Sequence, residues 1–233
     1  MKLDHVVYFS KKEPAQMVEE QQKMGYHAVV GGRHEKWGTH NALLYTKNAY
    51  IEWLSVEKME IAEQVDHPLT KLLLHDLEEG EGWGTLCFSV KGIDKFKEEV
   101  ENKGFRTSGV LDAGRRTADG QLRKWKMLFV DRPVSNELPY PFFIEWEEPE
   151  ETRFAKLRED GTLISDNELL EITECVFSVD DPLRETAEWE ILLSQKVGNA
   201  NNIVLPNVVL RFVERVGGKD RLTAVDVGQT NKK

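Results

Sequence analysis

The chain holds two cysteines in 233 residues, too few for a disulfide framework or a structural zinc site. Cys87 and Cys175 both stand inside apolar, strand-like runs, and we read them as buried core thiols. No apolar run approaches the ~18 residues needed to cross a bilayer, and MKLDHVVYFSKKEP carries charge where a signal peptide has its apolar stretch. A cytoplasmic protein with no membrane partner is the expectation. Positive charge is in deficit, 31 Lys plus Arg against 41 Asp plus Glu, so the net charge is −10 and generic nucleic-acid binding is not expected. There is no P-loop and no G-x-G-x-x-G, hence no nucleotide cofactor is indicated, and no G-x-S-x-G elbow for a serine nucleophile. What the chain does have is 40% hydrophobic and 9% aromatic residues, enough to build the core of one large or two small domains.

Internal similarity organises it. LDHVVYFSKKEPAQMVEEQQKMGY reads as strand, polar joint, helix and a stop at Gly25; GTLCFSVKGIDKFKEEVENKGF repeats that order and stops at Gly104. A looser copy, EITECVFSVDDPLRETAEWEILLSQKVG, has Pro182 near a helix start and ends at Gly198. Each opening is followed by further strand-like runs, so the unit is βαβββ, with Asp119-Gly120 and Gly217-Gly218 suited to hairpin turns. The spacing predicts a connecting helix over Leu69 to Leu77, and a linker with a short helix over Glu147 to Asp160. The fold class is α+β: paired βαβββ modules, about 1–66 and 80–149, form a curved, cup-like mixed sheet, and 150–233 forms a third degenerate module or extension.

Strand alternation turns these runs into faces. IEW occurs in the last strand of both units, and if each Ile-Trp pair packs under its helix, Glu52 and Glu145 lie on the concave side. His5 is on the opening strand, and alignment of the units puts Thr85 at its equivalent place in the second. A His and two Glu converging in a cup could ligate a divalent ion or do acid-base work without metal. A strand Glu is more often solvent-exposed, and a lone His at the start of a strand is more often a capped or solvent-facing residue.

The opening LDHVV strand, GGRHEKWGTHN from Gly31 to Asn41, RRTADGQLRKW from Arg115 to Trp125 and PFFIEW from Pro141 to Trp146 together resemble the glyoxalase-like domain of the vicinal oxygen chelate superfamily. The resemblance covers about the first 150 residues in order. It implies metal ligands on the opening and last strands of each module, hence His5, Glu52 and Glu145 for Zn²⁺, Ni²⁺, Mn²⁺ or Fe²⁺, with Glu52 or Glu145 as an alternative general base. At the fourth place, Thr85 departs from that pattern.

Around this set, Arg33, His34, Trp37, Thr39 and Asn41 are candidates for substrate binding, since glycines beside them let a ligand approach backbone. The alternative is a turn whose Trp37 covers core. Arg115, Arg116, Arg123, Lys124 and Lys126 stand against the single acid Asp119. Alternation groups Arg123 with Trp125 and Met127, where Arg123, helped by Arg115, would grip an anion or would merely neutralise Glu145 or Glu52. The expected function is a metal-assisted lyase, isomerase or dioxygenase acting on a small anionic oxygenated molecule. The alternatives are a metal-free binding or resistance protein in which Trp37 and Trp125 stack on the ligand, and a structural protein whose cup is filled by its own side chains. Pairing into a homodimer is a mild expectation for this fold.

Overall fold

The computed structural model describes residues 1–116, 122–195 and 201–229. Strand β1 (Lys2–Phe9) leads to helix α1 (Pro14–Lys23) and strands β2 (Val29–His34), β3 (Thr39–Tyr45) and β4 (Tyr50–Val56). A short α2 (Met59–Ala62) and then α3 (Pro68–Glu79) connect to β5 (Gly82–Ser89), α4 (Ile93–Asn102), β6 (Thr107–Arg116), β7 (Leu122–Val130) and β8 (Phe142–Trp146). Helix α5 (Glu150–Glu159) and a 3₁₀ turn precede β9 (Leu170–Val179), α6 (Pro182–Leu193), β10 (Asn202–Leu205), β11 (Val208–Glu214) and β12 (Arg221–Gln229). Helices α1, α3 and α6 each begin at a proline, whose missing N–H costs nothing in a first turn. Gly25 and Gly104 follow α1 and α4 with φ of 87° and 93°, a conformation that favours glycine and ends both helices. The turn expected at Asp119-Gly120 and the stop at Gly198 lie outside the described residues.

Strands β1 to β8 form one curled mixed sheet in the order β2-β3-β4-β1-β5-β8-β7-β6. The last strand of each module returns parallel to its opening strand, with His5 opposite Tyr50 in the first and Cys87 opposite Phe142 in the second. The two opening strands pair antiparallel at the centre, where His5 faces Cys87. Val7 faces Thr85 in the same ladder, so the pairing is symmetric about Val6 and Leu86, and Thr85 is the position equivalent to His5. The second sheet has the order β10-β11-β9-β12, which reproduces the first module without its outermost strand and adds β12 where a further unit would begin.

Two apolar layers flank the large sheet. Leu3, Val6, Ile51, Trp53, Phe88 and Phe143 face Met17 of α1 and Ile93, Phe96 and Val100 of α4. On the concave side Val7, Phe9, Cys87, Phe129 and Phe142 meet Leu72 and Leu73 of α3, which fills part of the hollow. Among the described residues, no helix is long and apolar enough to cross a membrane.

Candidate functional site

What α3 leaves open is a cavity of about 630 Å³, mouth included. Its walls are aromatic and polar: Trp37, Tyr45, Tyr50, Trp125, Phe142 and Trp146 surround His5, His34, Thr39, Asn41, Glu52 and His67. Six of the residues singled out in the sequence (His5, His34, Trp37, Thr39, Asn41 and Glu52) thus meet at one place, with Trp125 across from them.

A bulge in β1 creates the centre of the site. The pairing of β1 with β5 slips between Leu3 and His5, so Asp4 is an extra residue that turns to the same side as His5. Asp4 Oδ1 accepts from His5 Nδ1 at 2.9 Å, and Asp4 Oδ2 accepts from Trp146 Nε1 at 2.9 Å and from Arg153 Nη2 at 3.3 Å. Burial alone would raise the Asp4 pKa, but the Arg153 charge and the bonds from His5 and Trp146 bring it below the ordinary carboxylate value. With Nδ1 committed to Asp4, His5 turns Nε2 to Glu52 Oε2, 3.5 Å away, while its ring stacks on Tyr50 at 4.4 Å. Glu52 Oε1 accepts from Asn41 Nδ2 at 2.5 Å, and Asn41 Oδ1 accepts from the Gly32 amide at 2.7 Å. A Cβ on Gly31 would come within 2.0 Å of that Asn41 oxygen, which is why glycine stands there. The result is one buried chain, Arg153–Asp4–His5–Glu52–Asn41, anchored to the backbone at the Asn41 end through the Gly32 amide.

Glu145 is not part of it. In β4, Tyr50, Glu52 and Leu54 face the cup and Ile51 and Trp53 face helix; in β8 the faces are exchanged, with Phe142, Ile144 and Trp146 lining the cup. Phe143 instead packs on Phe96 of α4, ring centroids 4.6 Å apart. Glu145 then falls at the start of α4, where its two oxygens accept from the amides of Gly92 (2.5 Å) and Ile93 (3.0 Å). Gly92 has no side chain with which to cap the helix, so the carboxylate from the neighbouring strand does so. The IEW identity is out of register between the modules: Glu52 pairs with Val7 as Phe142 pairs with Cys87, so the counterpart of Glu52 is Phe142.

The other expected residues are dispersed. Arg33 is 61% exposed and pairs with Glu57 at 2.5 Å. Arg123 pairs with Asp160 at 3.2 Å, not with Glu52 or Glu145, and borders a shallow groove beyond Trp146. Thr85 donates to the Tyr140 carbonyl at 3.3 Å, outside the cup. The side chain of Arg115 lies outside the described residues. Four contributors escaped the sequence reading. Asp4 was hidden by the bulge and Trp146 by the register of β8. Arg153 and His67 sit in segments with no strand pattern to aim them.

Does this donor set suit a metal ion? Atoms of Asp4, His5 and Cys87 lie within 4.8 Å of one another. Both Asp4 oxygens are already engaged, one of them by a guanidinium, and burial near Asp4 and Glu52 pushes the Cys87 thiol far above its usual range, away from the thiolate a metal requires. On the cup side, His5 and Glu52 supply one free donor atom each, and their counterparts Thr85 and Phe142 supply a hydroxyl engaged with the Tyr140 carbonyl and a hydrocarbon. The described residues therefore do not fit a bound cation.

The family model for the glyoxalase-like domain matches residues 3–193. A hypothetical protein from Staphylococcus aureus has a similar crystal structure, with TM-score 0.80, 20% identity, and coverage of 94% of this chain and 88% of that one. A methylmalonyl-CoA epimerase from Streptomyces coelicolor, in complex with 2-nitronate-propionyl-CoA, aligns over 64% of this chain and 99% of its own at 17% identity and TM-score 0.46. No curated protein sequence matches significantly.

Proposed function

Because this chain belongs to the glyoxalase-like domain family of the vicinal oxygen chelate superfamily, we propose that its cup binds a small oxygenated molecule and moves a proton on it, using Glu52 and His5. The observation that carries this reading is the buried chain of groups with the 3.5 Å approach of His5 Nε2 to Glu52 Oε2 at its middle. Two acceptors facing each other at that distance leave a place for one transferable proton between them. Asp4 orients the imidazole and balances its charge when protonated, and Asn41 fixes the carboxylate.

For a carbonyl compound with an adjacent C–H, Glu52 takes the proton, the C–H electron pair becomes the C=C bond of an enolate, and the carbonyl oxygen takes the negative charge. Return of a proton from Glu52, or of one shared with His5 Nε2, to the same carbon gives exchange. Where that carbon carries a hydroxyl, passage of the hydroxyl proton to the enolate oxygen makes a new carbonyl there as the neighbouring carbon takes the returned proton, which is isomerisation. Aromatic walls favour a ligand with an apolar face. Among the described residues, the cup is lined by the carboxylate of Glu52 and by no Lys or Arg. A neutral carbonyl compound therefore suits it better than the anion expected from Arg123.

The test is deuterium wash-in from D₂O, followed by proton NMR, over a panel of cyclohexanone, hydroxyacetone, 2-hydroxyacetophenone and, as the anionic member, pyruvate. Protein dialysed against EDTA should exchange at least one neutral member, and His5→Asn should lose on the order of 10²-fold in rate. Ligands that bind wild type and His5→Asn alike with no exchange would make the cup a binding site only. Exchange that stops with EDTA and returns with Zn²⁺ or Ni²⁺ would restore the metal-assisted reading.

A further inference from the structure

His67 plays no part in the proton chain described above, yet it lines the same cup. It is the residue before α3, and its side chain serves as that helix's cap: Nδ1 accepts from the Thr70 amide at 3.4 Å, with the Thr70 hydroxyl 3.1 Å away. An Nδ1 that accepts from a backbone N–H carries no proton, so in the neutral ring the proton sits on Nε2. That Nε2 is buried, in a residue only 3% exposed, and has no hydrogen-bond partner among the described residues. Leaving such a donor unpaired costs about 1–3 kcal/mol. The ring is nonetheless held firmly, stacked on Trp37 at 4.2 Å and edge-on to Phe129 at 5.1 Å. A fixed, dry donor beside an open cavity is arranged to be satisfied by what enters the cavity.

We infer that His67 Nε2–H donates a hydrogen bond to the oxygen of the molecule held in the cup, making His67 a specificity-determining residue that selects ligands with a carbonyl or enolate oxygen. The positive end of α3, 12 residues long, points the same way and favours the partial negative charge that such an oxygen gains. The neutral imidazole is the form this place holds, since an imidazolium would be costly to bury and would put a proton on the Nδ1 that accepts from Thr70. The environment keeps it neutral: burial, reinforced by His34 nearby, lowers its pKa to about 3. This inference rests on the cup being the ligand site, and it adds the group that recognises the ligand's oxygen.

The experiment is ¹⁵N NMR of the histidine rings in the full-length protein, followed by titration with cyclohexanone, with cyclohexane as the oxygen-free control. Wild type should show His67 with a protonated Nε2 and a bare Nδ1 from pH 5 to 8, and cyclohexanone but not cyclohexane should shift that Nε2–H. Affinity for cyclohexanone should fall roughly three- to tenfold in His67→Phe, which keeps a flat ring against Trp37, and recover in His67→Gln, whose amide N–H can replace the donor. A proton on Nδ1, or equal affinity in wild type and His67→Phe, would overturn the donor role while leaving the cup's function intact. Wild-type protein that takes up neither cyclohexanone nor any other member of the carbonyl panel would overturn both.

Discussion

At the scale of single residues, the site depends on small groups holding larger ones. Glu52 can act as a base only if its carboxylate is still, and Asn41 holds it from a position that a Cβ on Gly31 would crowd to 2.0 Å. Gly31→Ala should displace the Asn41 amide and slow deuterium wash-in on the order of a hundredfold, in proportion to what a displacement of about 1 Å costs a catalytic group. Thermal stability should change far less. Asp4 is the opposite case, because it is bound up with stability as well as geometry. Asp4→Asn strands the buried Arg153 guanidinium and should cost about 3–5 kcal/mol in urea unfolding. Arg153→Met in the same chain should recover part of that loss. His5 and Glu52 were legible in the sequence because each stands on a strand with a readable alternation. Asp4 was not, because one bulge puts two neighbouring residues on the same face.

At the scale of elements, the comparison of β4 with β8 shows how far sequence identity can mislead. Both strands contain IEW, but the tripeptide meets different neighbours: Ile51 and Trp53 pack under helix, whereas in β8 Phe143 takes that place and the tripeptide falls an odd number of residues out of step. An odd offset in a strand exchanges its faces, and the larger aromatic won the position against α4. Helix α3 was legible as a helix from Pro68 and its leucines, but its direction into the cup was not, since nothing local specifies which hollow a connecting helix will fill. Its cap brings a measurable pH dependence. His67 titrates at about 3 when folded against about 6.5 unfolded, so between those values the unfolded chain binds a proton that the folded chain does not, and stability falls as pH is lowered. The urea midpoint should drop more steeply from pH 6.5 to 4 in wild type than in His67→Phe.

At the scale of the whole molecule, the C-terminal third is built into the first two modules. Helix α5 supplies Arg153 to Asp4. In the turn before β11, Asn207 bonds both the amide and the carbonyl of Leu3, at 2.8 and 2.9 Å, immediately beside the bulge. From β12, Arg221 grips Asp76 at the far end of α3 through Nε and Nη2, at 2.8 and 2.9 Å. The strands of the second sheet were legible because they carry the same period, whereas these docking contacts come from isolated polar side chains with no pattern to show them. Arg221→Ala leaves Asp76 buried with only Lys219 as a cationic partner besides His75, and should destabilise the entire chain by about 3–5 kcal/mol in a single cooperative transition. Two separate transitions would mean that the second sheet unfolds independently.

Because the two glutamates share one sequence context and lie on opposite faces of one sheet, they provide the most direct measurement: deuterium wash-in for Glu52→Gln and Glu145→Gln side by side, with stability recorded for each. Glu52→Gln should lose exchange by on the order of 10²-fold or more with its fold intact, while Glu145→Gln should keep wild-type exchange and lose about 1 kcal/mol of stability through its weakened cap on α4. Equal loss of exchange in both variants would contradict the placement of the reaction on Glu52 and His5.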